Sequence, residues 1–100
     1  MEIREENREG QIELLISGEI DGTNVRTFED KVTESADKTE SLVLNLDGLE
    51  YVSSTGLRVF LTLQKSMRAR GAEVVIRNVN EEVMDIFTVT GFVKLLNIEV

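Results

Sequence analysis

The 100-residue chain contains no cysteine, no histidine, no proline and no tryptophan. Without cysteine there is no disulfide, no thiolate metal site and no sulfur nucleophile. Without histidine the commonest general base and metal ligand is missing, and a Ser-His-Asp arrangement is ruled out. With no proline, no linker-like stretch and no internal repeat, nothing marks a boundary, so one domain over residues 1–100 is expected. Aromatic residues are scarce, four Phe and one Tyr, so the core has to be built from Leu, Val and Ile. No apolar run is long enough to span a bilayer, and the opening Met1-Glu2-Ile3-Arg4-Glu5-Glu6 is too polar for a signal peptide. A cytoplasmic location without membrane contact is the expectation.

Basic residues are also in short supply, 11 against 19 acidic ones, for a formal net charge of -8. Such a surface repels phosphate backbones and anionic lipid heads, so direct nucleic-acid binding is not expected. The acidity serves either solubility alone or steering towards a basic partner surface. Hydrophobic residues at 41% and charged residues at 30% suit a folded globular domain and not a disordered segment.

Patterning supplies the elements. Ile3 to Asn7 is mostly charged and reads as an edge strand, since charge discourages further strand pairing. After a turn at Arg8-Glu9-Gly10, Ile12, Leu14 and Ile16 alternate with polar residues as a half-buried strand, which Gly18 is expected to break. Val25, Phe28, Val32 and Ala36 recur at helical spacing between Asn24 and Asp37. Leu42-Val43-Leu44-Asn45-Leu46 is nearly unbroken apolar sequence and predicts a central strand covered on both faces. Leu57, Phe60, Leu61 and Met67 form a second helical stripe, ended by Arg68, Arg70 and Gly71. Val74-Val75-Ile76 predicts another strand. Asn80-Glu81-Glu82 opens a third helix with Val83, Ile86 and Phe87 on one face, closed by Gly91. Leu96, Ile98 and Val100 alternate as a last strand. This order predicts an α/β domain with a mixed sheet of about five strands, an antiparallel opening hairpin and parallel pairing thereafter.

The segment Leu49-Glu50-Tyr51-Val52-Ser53-Ser54-Thr55-Gly56-Leu57 carries three hydroxyls between a buried strand and an amphipathic helix. One reading is structural: Ser or Thr caps the helix and Gly56 permits its tight start. The usual capping box is missing, because Leu57 stands where Glu or Gln would follow three residues after Ser54. The other reading is functional. A helix N-terminus offers free N–H donors and partial positive charge, so a phosphate of about -1.5 to -2 charges is tolerated there without unfolding. Pattern alone leaves both readings open.

Other chemistry finds less support. Asp21 and Asp47 are conceivable metal ligands near the loop, but lone carboxylates beside Gly are usually turn-formers, and no metal is expected. A catalytic Glu pair is disfavoured because the Glu residues fall at polar helix positions and strand edges. No Lys lies near Ser54 in sequence. No Walker-type Gly-rich loop followed by Lys-Ser/Thr occurs, so ATP is expected to belong to a partner and no cofactor to this chain.

Four segments in register resemble the STAS family, and specifically its bacterial anti-sigma factor antagonists. They are the Ser53-Ser54-Thr55-Gly56-Leu57 turn between strand and helix, the Ser17-Gly18-Glu19-Ile20-Asp21 turn, the Leu42–Leu46 strand and Asp85–Phe92. The resemblance spans nearly the whole chain. It implies a protein that is not an enzyme and that, unphosphorylated, binds an anti-sigma factor which is also an ATP-dependent serine kinase. Binding frees the sigma factor, phosphorylation ends the interaction, and a serine phosphatase resets it. By the same resemblance the phosphorylated residue is Ser54, and the docking surface comprises Asp21, Ser53, Thr55 and Gly56. The family's best-known members place Asp before the modified serine where this chain has Ser53, so Ser53 and Thr55 stand as alternatives. A C-terminal helix usual in the family finds no counterpart after the last expected strand, and a monomer is expected. Two rivals are weighed against this. One is an interaction subunit docked constitutively on a transporter or other ATPase. The other is a small hydrolase using Ser54, which would need a base within about 3 Å of the hydroxyl, and no histidine exists to serve.

Overall fold

Alternation at the start of the chain closes into a hairpin. In the computed structural model, which describes residues 1–99, strand β1 (Glu2–Arg8) pairs antiparallel with β2 (Gln11–Ile20). Glu9 and Gly10 both take positive φ, 49° and 85°, as a two-residue turn matched to the strand twist requires. Then follow α1 (Val25–Ala36), β3 (Ser41–Val52), α2 (Ser54–Ala69), β4 (Glu73–Arg77) and α3 (Glu81–Thr90). A single 3₁₀ turn spans Phe92–Lys94. The sheet order is β1-β2-β3-β4, with β2, β3 and β4 mutually parallel.

The core lies on one face of this sheet. Ile12, Leu14 and Ile16 of β2, Leu42, Leu44 and Leu46 of β3, and Val74 and Ile76 of β4 join one cluster with the buried stripes of the helices. At its centre three phenylalanines meet edge-on, one from each helix: Phe28 and Phe60 with centroids 5.2 Å apart, Phe60 and Phe87 6.1 Å apart. Such pairs stabilise by about 0.5–1.5 kcal/mol beyond the area they bury.

Several expectations need correction. The Leu42–Leu46 strand is buried on both sides at Val43, as expected, but only its Leu42, Leu44 and Leu46 side joins the core cluster with the helices. Val43 is buried but stands outside the core cluster, on the face it shares with its in-register neighbours Glu13 and Val75. Gly18 does not end β2. It adopts φ +88° in a stretch where the register slips between Leu15 and Ser17 and again between Gly18 and Glu19, and the strand continues to Ile20. Opposite it, β3 runs on to Val52, well past Leu46.

Among the described residues the sheet has four strands and not about five. Leu96 is buried, yet Ile98 makes just one parallel bridge, to Ile76, and Val100 lies outside the described residues. Competing partners explain the lost strand. The buried amide of Gln64 in α2 donates to Leu95 O and accepts from Asn97 N, each at 2.6 Å, while Asn97 Nδ2 donates to Val74 O at 3.0 Å. Side chains thus take the hydrogen bonds that a fifth strand would have made.

The expected helix ends are present. Asn80 caps α3 by accepting from Val83 N at 2.9 Å, and Gly91 closes it in the left-handed region. The charged edge strand β1 also has an inward role. Glu5, paired opposite Leu14, turns to α1 and accepts from Ser35 Oγ at 2.7 Å, Lys31 Nζ at 3.2 Å and Lys38 Nζ at 3.4 Å.

Candidate functional site

Because β2 and β3 are parallel, their C-terminal ends emerge side by side, and the Asp21 turn lies next to the serine loop. Ile20 O accepts from Ser53 N at 2.9 Å, so the end of one strand holds the start of the other's loop. Ser53 is the N-cap of α2: its Oγ accepts from Gly56 N at 3.2 Å, and its carbonyl accepts from Leu57 N at 2.9 Å. The Ser53 Oγ and Thr55 Oγ1 atoms are 3.0 Å apart and hydrogen-bonded. Ser54, the first residue of α2, is exposed, and among the described residues its hydroxyl makes no hydrogen bond. The three hydroxyls therefore divide the work: Ser53 caps, Thr55 leans on Ser53, and Ser54 faces solvent.

Gly56 sets the depth of this arrangement. A Cβ there would lie 2.7 Å from Val52 Cγ2 and 2.9 Å from Ile20 Cγ2, so the absence of a side chain lets the first turn of α2 settle on both strand ends. Gly56 is buried and contributes shape, whereas Ser54 and Thr55 contribute accessible surface.

The neighbouring turn is built from its own side chains. Asp21 Oδ1 accepts from Thr23 Oγ1 at 2.6 Å and Thr23 N at 2.9 Å. Thr23's hydroxyl first, then its N–H, hold the Asp21 carboxyl below its ordinary range, against a smaller desolvation effect. Asn24 closes the turn: its Oδ1 accepts from Asp21 N at 3.0 Å and its Nδ2 donates to Glu19 O at 2.9 Å. Only the returning half of a capping box is present: Asn24 reaches back to the Asp21 N–H, while the Asp21 carboxylate is held by Thr23. Asn24 is a site residue that the apolar spacing passed over, and the Asp-x-x-Asn spacing was its signal. Tyr51, 45% exposed and three residues before Ser54, is a second neighbour of the loop that the sequence pattern did not single out.

Asp47 is not part of this group. It sits at the β3 irregularity, in a groove on the open sheet face with Arg4, Ser17, Asn45 and Asn78. Among the described residues no three His, Cys, Asp or Glu side chains converge as metal ligands. The site is a ledge of hydroxyls, one carboxylate and helix N–H groups, suited to docking and to carrying a covalent anion.

Comparison with known proteins agrees with this architecture. A profile of the STAS domain matches residues 2–100. The chain is 31% identical over 101 residues to the anti-sigma-B factor antagonist of Listeria monocytogenes, covering 99% of this chain and 87% of that one. The crystal structure of an anti-sigma factor antagonist from Mycobacterium paratuberculosis shares the fold with a TM-score of 0.86 at 20% identity, covering 97% of this chain and 83% of that one. The Bacillus cell fate determinant SpoIIAA in its phosphorylated form does so with a TM-score of 0.74 at 15% identity, covering 99% and 92%. With a profile match running through every strand and helix described above, the chain belongs to the STAS domain family.

Proposed function

We propose that this chain is an anti-sigma factor antagonist: a binding protein that captures an anti-sigma factor while Ser54 is unmodified, frees the sigma factor, and is released when Ser54 is phosphorylated. The kinase is the anti-sigma factor itself. It passes the γ-phosphoryl group of ATP to Ser54 Oγ, the hydroxyl proton leaves, and ADP is the second product. A serine phosphatase hydrolyses the ester and restores the binding form. The protein works as a monomer in the cytoplasm. Among the described residues no helix is long and apolar enough to cross a membrane.

The observation that carries this reading is the division among three consecutive hydroxyls. Ser53 and Thr55 are hydrogen-bonded to each other and Ser53 also caps the helix, while Ser54 alone is both exposed and uncommitted among the described residues. Two further points support it. The relatives carry the name anti-sigma factor antagonist, and one protein of this fold has been solved in a phosphorylated form. The surface offered to the partner is Ser53, Ser54 and Thr55, shaped by Gly56, beside Asp21. Losing 100- to 1,000-fold in affinity requires about 3–4 kcal/mol, which a dianion placed in that surface supplies through repulsion and steric conflict.

The test is mass spectrometry of the chain incubated with ATP and a serine-kinase anti-sigma factor, with Ser54→Ala and Ser53→Ala variants alongside. One phosphate is expected on the wild type and on Ser53→Ala, none on Ser54→Ala, with partner release on modification. A phosphate mapped to Ser53 or Thr55 moves the switch to that residue. No phosphate, with binding indifferent to ATP across candidate partners, replaces the switch with constitutive docking.

A further inference from the structure

Ser54 opens α2 and Arg58 stands one helical turn behind it. Both are exposed. Residues four apart on a helix are neighbours, and helical side chains lean towards the N-terminus, so the position of Ser54 lies within reach of the Arg58 side chain. The order is the favourable one for an acidic group and a basic group at this spacing. The first turn of α2 holds no acidic residue to compete for the guanidinium. Among the described residues Arg58 makes no ion pair, unlike Arg4, Arg8, Lys31, Lys38 and Arg77. Asp21, on the turn beside the serine loop, already accepts two bonds from Thr23 at its Oδ1.

We infer that Arg58 is the intrachain receptor for the phosphate on Ser54. Its planar guanidinium donates N–H bonds to the phosphoryl oxygens in the modified chain and stands free on the docking surface in the unmodified one. The inference rests on the reading that Ser54 is the phosphorylated residue. It adds a second half to the switch. Phosphorylation brings in a dianion and also folds a cation away from the partner, so the surface changes at two residues, Ser54 and Arg58. A guanidinium suits this role better than an ammonium, because its fork engages two oxygens at once.

The experiment needs no kinase. Phosphoserine is installed at position 54 of the full chain by genetic code expansion, and the second ionisation of the phosphate is followed by ³¹P NMR in wild type, Arg58→Gln, Arg58→Lys and Lys65→Gln. Lys65 is an exposed cation further along the same helix and controls for net charge. A cation that pairs with the dianion lowers this pKa. Arg58→Gln is therefore expected to raise it by roughly 0.3–0.7 unit, Arg58→Lys to recover part of that, and Lys65→Gln to leave it within about 0.1 unit. The Arg58→Gln difference should shrink in about 1 M salt. An Arg58→Gln value within about 0.1 unit of wild type, or an equal shift in Lys65→Gln, overturns the inference. Neither result touches the assignment of Ser54, which is decided separately by where a kinase places its phosphate.

Discussion

At Gly56 the two strand ends leave no room for a methyl group, since a Cβ would fall inside contact distance of both Val52 and Ile20. Gly56→Ala should therefore cost about 1–3 kcal/mol, read as a lower midpoint of urea unfolding at unchanged slope. It should weaken partner binding as well, because the first turn of α2 has to move outward. Ser53→Ala removes the cap on Gly56 N and should cost about 1 kcal/mol by the same measurement. Phosphorylation at Ser54 should persist in that variant. These roles are legible in the sequence because capping and close approach are local: three hydroxyls followed by Gly after a strand admit few geometries. Which hydroxyl caps is a different matter. It depends on where the helix begins, and a one-residue change in that start would exchange the parts of Ser53 and Ser54.

Between elements, two polar side chains act as ties. Glu5 fastens β1 to α1, and its side chain is 17% exposed. The Ser35 hydroxyl, then Lys31 and Lys38, hold its carboxyl down at about 2 from an ordinary 4.5. Because the folded value is the lower one, this tie stabilises fully above the unfolded pKa and is lost as pH falls towards about 2. Wild type should lose stability more steeply than Glu5→Gln between about pH 5 and pH 2 in acid unfolding followed by circular dichroism. The gap between them at neutral pH should be about 1–2 kcal/mol once solvent screening is allowed for. Gln64 ties α2 to the segment after the 3₁₀ turn. Gln64→Leu strands Leu95 O and Asn97 N without partners, and amide exchange over 95–99 should accelerate by ten- to a hundred-fold, the equivalent of about 1–3 kcal/mol. Neither tie can be read from periodicity. Glu5 looked like edge decoration, and Gln64 sits in an apolar stripe as a lone polar residue whose partner is some thirty positions away. The expected fifth strand failed for the same reason: alternation at Leu96 and Ile98 is genuine, but the hydrogen bonds had already been assigned to a side chain.

For the molecule as a whole, the order of strands and helices follows from hydrophobic period and turn residues, and parallel pairing with one-sided helices follows from that order. The half-buried state of the second sheet face does not, because an apolar run reads the same whether Val43 lies in the helix-packed core or, as here, outside it. Net charge acts at this scale too. With a formal charge of -8 spread over a molecule 33 Å long, association with a basic partner surface should slow as salt rises. The on-rate measured by stopped flow should drop about tenfold between roughly 0.05 and 0.5 M salt, with a much smaller change in the off-rate. A flat profile would place the acidity in solubility and not in steering.

The parallel strands also give the molecule two poles. Asp21 and Ser53 follow the ends of β2 and β3, whereas the Glu9-Gly10 turn, Glu40 and Gly71 precede the starts of β2, β3 and β4. The ten residues of β2 separate the poles by about 30 Å. The hairpin tip is thus a natural tethering point: a linker, a dye or a second domain grafted between Glu9 and Gly10 would hang from the pole opposite the serine and leave the proposed docking end unobstructed.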